Sequence, residues 1–298
     1  MKALFPVILF NLCAIQTLNA EPVKFGLGLN SGVEHDSKLK VVELDQVSEK
    51  SDISLKLSAK LKADWQISDN LNWSSSYLYS TKNYQQEDEY NLKLNQFSTN
   101  LTYDLTASTI GTSFYSTQVK LAKADFLKLN QLSFYWSKLL NQDFYLRLSS
   151  NFKDKDFANL NSRDAKIMEQ MIDGFYFFNQ TSSFVHINLG ISNEDAEHKE
   201  FSNQGFQGQL ALSHNFKWLE LDNTVQTWWK LSHKDYSDDF ESNQTREDKR
   251  QVLGLEWKLK FTPQFSLTNK VEYADNNSTL ASLTYNETIS SIQLKANF

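Results

Sequence analysis

Apolar and polar side chains alternate strictly along residues 53–65. Every second position from Ile53 to Trp65 is apolar, and the positions between carry serine, lysine or aspartate. A period of two predicts a β-strand with one apolar and one wet face, because successive side chains of a strand point to opposite sides. At about 13 residues this strand is longer than most globular strands. It suits a tilted membrane strand, of which about 9–11 residues cross the bilayer.

The same alternation recurs to the end of the chain. It is found at 71–79, 132–136, 144–148, 185–191, 206–216, 221–231, 253–261 and 292–298. Short turns are predicted near 68–70, 106–108, 141–143, 179–181, 217 and 262–263, and longer polar connections near 35–51, 82–89, 119–126, 154–163, 193–203, 233–246 and 274–284. Short turns on one side and long loops on the other are typical of outer-membrane barrels.

The pattern therefore predicts an all-β protein, a transmembrane antiparallel up-and-down β-barrel of about 14 strands in the bacterial outer membrane. Both termini would lie on the short-turn side. A soluble β-sandwich or β-helix is the alternative, against which stand the 9 glycines and 3 prolines, few for so many turns. Eight aromatic residues sit at strand ends, as in the girdles of membrane barrels; they are Trp65, Trp73, Tyr103, Trp136, Phe144, Trp218, Phe261 and Phe265.

Two segments leave the facing open. Near 90–105 the apolar phase switches between Leu94 and Phe97, which a bulge, or a part of the strand above the membrane, would explain. Along 164–178 the alternation places Gln170 on the outward face.

Residues 1–20 are predicted to be a cleaved signal peptide. Lys2 supplies the positive charge, an apolar stretch runs from Leu4 to Leu18, and Ala20 is the small residue before the cleavage point. The stretch is shorter than the ~20 residues of a membrane-spanning helix. Residues 21–298 would form the barrel. Cys13 falls within the signal peptide, so we expect no disulfide scaffold in the mature chain.

Composition excludes several other classes. A mean hydropathy of −0.50 argues against a helical membrane protein. The net charge of −6 argues against nucleic acid as a partner, because phosphate binding needs clustered lysine and arginine. The few glycines make a Rossmann or P-loop enzyme a poor fit. Metal-ligand spacings such as Cys-x-x-Cys are absent from the sequence, and we expect no cofactor.

The last residues, Ile292 to Phe298, resemble the assembly signal of Gram-negative outer-membrane proteins, which end in an aromatic residue preceded by alternating apolar positions. The resemblance implies recognition of Phe298 by the barrel assembly machinery. Outer-membrane lipid and lipopolysaccharide are the other expected partners.

Residues 21–298 also resemble the barrel of bacterial tetratricopeptide-repeat outer-membrane proteins, including the surface lipoprotein assembly modifiers. The similar motifs are His35-Asp36-Ser37, Ser51-Asp52, Arg163-Asp164-Ala165, Arg246-Glu247-Asp248, Asn276-Asn277-Ser278 and Tyr285-Asn286-Glu287. The chain departs from the family at Lys38, where asparagine is usual, and no helical repeats precede the first predicted strand. The resemblance implies a barrel that helps to move cargo across the outer membrane.

The inward face carries the candidate functional residues. Charge on lipid-facing positions costs about 2–4 kcal/mol at the midplane, so charged positions between the apolar ones should face the lumen. The lumen-lining candidates are Lys56, Lys60, Lys62, Asp64, Arg147, Lys230, Arg246, Asp248, Arg250, Glu256, Lys258 and Lys260. They would either pair across the lumen or line a polar pathway.

These observations predict a channel or export-associated pore with a charged lumen, for small solutes or an exported cargo, and no enzyme activity. The first alternative is a structural or surface-binding barrel that uses its loops. The second is an outer-membrane hydrolase, for which His214 and His233 are the candidate bases. Ser213 precedes His214, but neighbouring strand residues point to opposite faces.

Overall fold

The computed structural model describes residues 22–239 and 245–298. The predicted signal peptide, residues 1–20 with Cys13, lies outside the described residues. The strands are β1 (Lys24–Asp36), β2 (Leu39–Val41), β3 (Gln46–Ser48), β4 (Asp52–Ser68), β5 (Leu71–Tyr84), β6 (Leu92–Asp104), β7 (Thr109–Leu121), β8 (Ala124–Leu139), β9 (Phe144–Phe157), β10 (Ala165–Phe178), β11 (Ser183–Ala196), β12 (Asn203–Trp218), β13 (Leu221–Asp239), β14 (Thr245–Lys260), β15 (Phe265–Ser278) and β16 (Tyr285–Asn297).

Fourteen of these strands form one closed antiparallel barrel, in which β1 pairs with both β16 and β4. The remaining two, β2 and β3, pair only with each other. The prediction of an up-and-down barrel of about 14 strands is confirmed. Closure leaves no unpaired sheet edge, which is the condition for a sheet to sit in lipid.

No helix among the described residues is long and apolar enough to span a membrane.

The two faces of the barrel wall divide as the alternation predicts. On β14, Leu253 and Leu255 are more than half exposed on the outside. On the inside, Ser54, Thr268 and Glu287 are at most 2% exposed. The apolar outer belt is the surface that lipid covers, and the polar groups turn away from it.

Most of the predicted connections are found. Of the one near 233–246, residues 233–239 and 245–246 are strand, and residues 240–244 lie outside the described part of the chain. The connection near 119–126 is wrong as a long loop: β7 and β8 are joined by two residues, Ala122 and Lys123, both with positive φ (47° and 73°). Positive φ at both central residues gives the twist that a tight hairpin needs. Five of the long connections each contain one 3₁₀ turn, at Val42–Leu44, Asp88–Tyr90, Asn161–Arg163, Lys199–Phe201 and Ala281–Leu283.

The two ambiguous segments are regular strands. β6 pairs with both neighbours without a register shift, so a bulge near 90–105 is wrong as an explanation of the phase switch. Phe97 and Leu101 face outward, and Gln96 lines an internal cavity. On β10, Gln170 has the parity of the exposed Met168 and accepts a hydrogen bond of 2.6 Å from Ser150 on β9.

Phe298 takes part in closing the barrel. Its backbone N–H and C=O bond the C=O and N–H of Leu27 at 2.8 and 2.9 Å, beyond the end of β16. Its ring packs edge-to-face on Phe265, with centroids 6.0 Å apart.

We expect deletion of Phe298 to lower the folded yield in the outer membrane more than Phe298→Ala, because alanine keeps both backbone bonds to Leu27. The measurement is the fraction of protein that migrates faster unboiled than boiled in detergent gels. Equal yields for the deletion and the full-length chain would show that the terminal residue is dispensable for closure.

Candidate functional site

The connection between β1 and β4 folds across one end of the barrel. We call residues 37–51, which include β2 and β3, the mouth loop. The strands β1 and β4 are neighbours, yet the mouth loop contacts Lys155 on β9 and Arg246 on β14, far around the closed sheet. It therefore spans the opening of the barrel at the end where the long connections lie. The longer polar connection predicted near 35–51 is found, but its folding across the mouth was not predicted.

One buried apolar residue, Leu39, anchors the mouth loop. Its first strand begins with Leu39, which is fully buried and whose N–H bonds the Lys50 carbonyl across the hairpin. At the tip, Asp45 takes a left-handed conformation (φ 54°) after the 3₁₀ turn Val42–Leu44. Aspartate tolerates this conformation better than most residues.

Asp45 is the main attachment of the loop tip. Its carboxylate lies 2.7 Å from the Arg246 guanidinium and 2.8 Å from that of Arg163, in the connection between β9 and β10. Arg246 also pairs with Asp248 at 2.6 Å and stacks over Tyr236 at 4.1 Å. Burial alone would raise the pKa of Asp45, but the two arginines hold it below its ordinary value.

Two further ion pairs fasten the mouth loop. Lys40 Nζ contacts Glu287 on β16, whose side chain is 1% exposed, and Glu43 lies 2.8 Å from Lys155. Glu287 also accepts a bond of 2.9 Å from Arg250. Burial and then the positive charge of Arg250 lower the pKa of Lys40, against the pull of Glu287. Removing one member of such a buried group leaves an unpaired charge, which costs about 3–5 kcal/mol.

The candidate lumen residues fall into two groups along the barrel axis. Near the mouth loop they are in ion pairs: Lys56 with Glu34 at 2.9 Å, besides the Arg246, Asp248 and Arg250 contacts. In the half toward the short turns, ion pairs to other described residues are absent for seven candidates: Lys60, Lys62, Asp64, Lys230, Glu256, Lys258 and Lys260. All have the parity opposite to the exposed apolar side chains, so they face the interior.

Arg147 is the remaining candidate, and it stands apart from both groups. Its guanidinium stacks over the Tyr135 ring at 3.7 Å. Directly opposite on β10 lies Asp173, which contacts His186 Nε2 and accepts a bond from Asn188 Nδ2, each at 2.8 Å.

Sequence reasoning missed the residues that close the mouth, namely Lys40, Glu43, Asp45, Lys155, Arg163 and Glu194. One signal was available: Leu39, Val42 and Leu44 make 37–51 too apolar for a freely exposed loop. The partners of the mouth-loop residues Lys40, Glu43 and Asp45 are more than 100 positions away and could not be read from the sequence.

The two candidate hydrolase bases are placed differently. His214 Nδ1 lies 2.8 Å from Ser183 Oγ, on the outward parity of the neighbouring strand. Ser183 is 1% exposed, so the hydroxyl is not open to solvent. His233 Nε2 pairs with Asp235 at 2.8 Å near the long-loop end.

No protein-family model matches the chain, and no curated protein sequence matches it. Solved structures do match. An anion-selective porin from Comamonas acidovorans superposes with a TM-score of 0.58 at 8% identity, over 94% of this chain and 100% of that one. A loop-deletion mutant of OmpT, an outer membrane protein of Vibrio cholerae, gives 0.55 at 9% identity, over 93% and 99%. A bacterial polysaccharide outer membrane secretin gives 0.50 at 10% identity, over 91% and 98%.

Identities this low show a shared fold alone. A closed sheet with an apolar outer belt is built to sit in lipid, and with these neighbours the chain is an outer-membrane β-barrel. The resemblance to the assembly modifiers stays a prediction.

The prediction of no enzyme activity is wrong as an exclusion. It rested on the lack of a nucleophile beside a base, whereas the structure brings Ser183 and His214 together. The fold shared with OmpT and the porins does not separate catalytic from non-catalytic barrels.

Acid should release the mouth loop only at low pH. Because pairing lowers the pKa of Asp45, its contribution is complete above the ordinary aspartate value of 3.8 and is lost as the pH falls through the lower, attached value. We therefore expect the mouth loop to resist limited proteolysis between about pH 5 and 8 and to be cleaved below about pH 4. Asp45→Asn should make the loop accessible at every pH. A transition near pH 6 would assign the release to a different group.

Proposed function

We propose that the protein is an outer-membrane pore for small polar solutes, with a preference for anions and a mouth narrowed by the mouth loop. The observation that carries the proposal is the division of lumen charge. Charges near the mouth loop neutralise one another in ion pairs, whereas the half toward the short turns keeps lysines without carboxylate partners among the described residues.

The unpaired half of the lumen is basic. Lys60, Lys62, Lys230, Lys258 and Lys260 outnumber Asp64 and Glu256 there. A narrow aqueous passage with low-dielectric walls strengthens such an imbalance, which then attracts anions most at low salt. The neighbour from Comamonas acidovorans is an anion-selective porin, and the proposal gives this chain the same preference.

The same proposal extends to partners. Lipid and lipopolysaccharide would cover the outer belt, and the barrel assembly machinery would recognise the strand that ends at Phe298. Small solutes are the proposed cargo. An exported cargo, as the resemblance to the assembly modifiers implies, would need the mouth loop displaced.

A second candidate is a closed barrel with a structural or surface-binding role. It is favoured by the number of ion pairs on the mouth loop, which join it to β9, β14 and β16. Ion conductance separates the two candidates.

We expect the refolded protein to form channels in planar bilayers with a reversal potential of the sign set by anions under a salt gradient. The preference should weaken as salt rises, because screening shortens the reach of the lysines. Conductance with cation preference would contradict the charge argument. Complete absence of conductance in the wild type and in a variant lacking residues 39–48 would favour the closed barrel.

A further inference from the structure

The outward face of β6, β7 and β8 is basic at the end where the long connections lie. Three lysines on these strands and one in the turn between β7 and β8 form what we call the outer lysine patch: Lys93, Lys120, Lys128 and Lys123. The strand lysines have the parity of exposed apolar side chains on their own strands, so they face away from the lumen. These apolar side chains are Phe97 on β6, Phe114 on β7 and Leu132 on β8.

Two lysines of the outer lysine patch face each other. Lys93 and Lys120 are directly opposite in the β6–β7 ladder, and like charges in this arrangement destabilise a sheet. Lys120 Nζ lies 2.9 Å from Asp125, whose side chain is 78% exposed. Lys93 Nζ lies 5.0 Å from the Tyr79 ring centroid and has no carboxylate partner among the described residues. The ladder therefore holds two cations side by side.

The acids around the outer lysine patch do not neutralise it. Lys128 lies opposite Asp156 on β9, but the two form no ion pair in the described structure. The acids of the connection between β5 and β6, residues 87–89, likewise form none with these lysines, and Glu87 pairs instead with Lys50 of the mouth loop at 2.9 Å. Within the described ranges, Asp125 is the one carboxylate in ion-pair contact with the outer lysine patch.

Lysines elsewhere on the outward face near the mouth lie among acids. Lys166 on β10 is opposite Asp154 on β9 and Asp195 on β11. Lys249 on β14 lies 3.2 Å from Glu247. The outer lysine patch differs from both sites, because two of its lysines face each other.

The outer lysine patch lies at the height of lipid headgroups. The long connections of outer-membrane barrels are on the cell surface, so this end of the barrel meets the outer leaflet. Lys93 is four residues beyond the exposed Phe97, which is about 13 Å along the strand. The ladder position between them carries two amides, Asn95 and Gln118. The outer lysine patch is therefore separated from the apolar outer belt by one polar step.

An apolar groove begins on β7 and β8 below the outer lysine patch. It has a volume of about 480 Å³, and its apolar lining includes Phe114, Leu132, Phe152 and Met168. The charged residues that line it are two lysines and two aspartates, namely Lys153, Lys166, Asp154 and Asp195. The groove is thus apolar with balanced charge at its edge, which suits an acyl chain, whereas the positive charge lies above it.

We infer that the outer lysine patch binds the phosphates of an acylated phosphosugar of the outer leaflet, the lipid A part of lipopolysaccharide. A phosphate between Lys93 and Lys120 replaces their repulsion with two charge-assisted contacts. The amides of Asn95 and Gln118 lie at the level of the sugar and amide groups, and the acyl chains lie on the apolar belt and in the groove. The inference rests on the proposed association with lipopolysaccharide and deepens it by naming the site.

The test is titration of the refolded full chain in detergent with bisphosphoryl lipid A, followed by native mass spectrometry, which counts the lipid molecules on each barrel. Two other lipids are compared. Monophosphoryl lipid A keeps the sugars and acyl chains with one phosphate fewer, and phosphatidylglycerol keeps a phosphate and acyl chains without the sugars. We expect one saturable copy of bisphosphoryl lipid A, and affinities lower by about tenfold for each of the other two lipids.

Lys93→Gln with Lys120→Gln should weaken binding of bisphosphoryl lipid A by about tenfold. The matched control, Lys166→Gln with Lys249→Gln, removes the same charge from the same outward face and should leave binding unchanged. Equal losses in the two double variants overturn the inference, as does equal affinity for phosphatidylglycerol and bisphosphoryl lipid A. Folding of each variant is checked by gel mobility, and the comparison of lipids on the unaltered protein stands without any variant.

Heat resistance gives a second readout with the opposite sign in the absence of lipid. Without lipid A, Lys93→Gln with Lys120→Gln should keep the gel mobility shift to at least the temperature of the wild type, because a repulsion is removed. Bisphosphoryl lipid A should raise this temperature for the wild type and the control variant but not for the Lys93 and Lys120 variant. A lower temperature for that variant without lipid would show that the lysines stabilise the barrel by themselves, against the inference.

Failure of the inference and failure of the proposed function are distinguishable. Saturable lipid A binding to a barrel that conducts no ions would retain the site and remove the pore. Anion-selective conductance with no preference for bisphosphoryl lipid A would retain the pore and remove the site.

Discussion

Replacing residues 39–48 with a short flexible linker should raise the single-channel conductance several-fold. The replaced segment contains the β2–β3 hairpin and three charged residues that join it to the barrel wall: Lys40 to Glu287 on β16, Glu43 to Lys155 on β9 and Asp45 to Arg246 on β14. Without them the mouth keeps its closed strand framework, because β1 pairs directly with β4 along the whole length of β1. The measurement is the conductance histogram in planar bilayers.

Point variants separate loss of the loop from loss of its attachment. Asp45→Asn keeps the shape of the side chain and removes the charge that holds Arg163 and Arg246, so we expect frequent opening to the conductance of the linker variant. Lys50→Gln is the matched control, because Lys50 belongs to the same loop but pairs with Glu87 on the exposed surface. Exposed pairs contribute little. An unchanged histogram for the linker variant would show that the mouth loop does not limit the passage.

The barrel could be predicted from the sequence because its cause is local. In β4 and β14 each side chain's face follows from its parity alone, and lipid enforces that parity at every second position. The same rule placed Lys60 and Lys258 inside. It needs no knowledge of which strands meet.

The mouth loop could not be predicted in the same way because its cause is long-range. Lys40 and Glu287 are 247 positions apart, and Asp45 and Arg246 are 201 apart. No periodicity relates such pairs. The facing of Phe175 and Phe177 could not be predicted for another reason. They have lumen parity, but they lie on a strand that is apolar on both faces, so the alternation did not indicate which face is inward.

Neutralising the unpaired lysines should change ion selectivity without loosening the barrel. We expect the triple variant Lys60→Gln, Lys258→Gln and Lys260→Gln to lose most of the anion preference at low salt. These side chains have no ion-pair partner in the described parts of the chain, so replacing them leaves no carboxylate unpaired. Reversal potentials under a salt gradient measure the change.

Lumen cations that are in ion pairs provide the control for this prediction. Lys56→Gln with Arg250→Gln removes the same kind of charge, but each substitution breaks an ion pair to a buried carboxylate, Glu34 or Glu287. Each carboxylate keeps one cation, Lys82 for Glu34 and Lys40 for Glu287, but loses the other. Because weakening a buried ion pair is destabilising, this double variant should lose its gel mobility shift at a lower temperature. Its selectivity should change less than that of the triple variant, because Glu34 and Glu287 already neutralise the two cations. If the double variant instead matched the triple variant in selectivity and kept its heat resistance, the lumen charge would act as one continuous field, and the division between a paired mouth and an unpaired passage would be wrong.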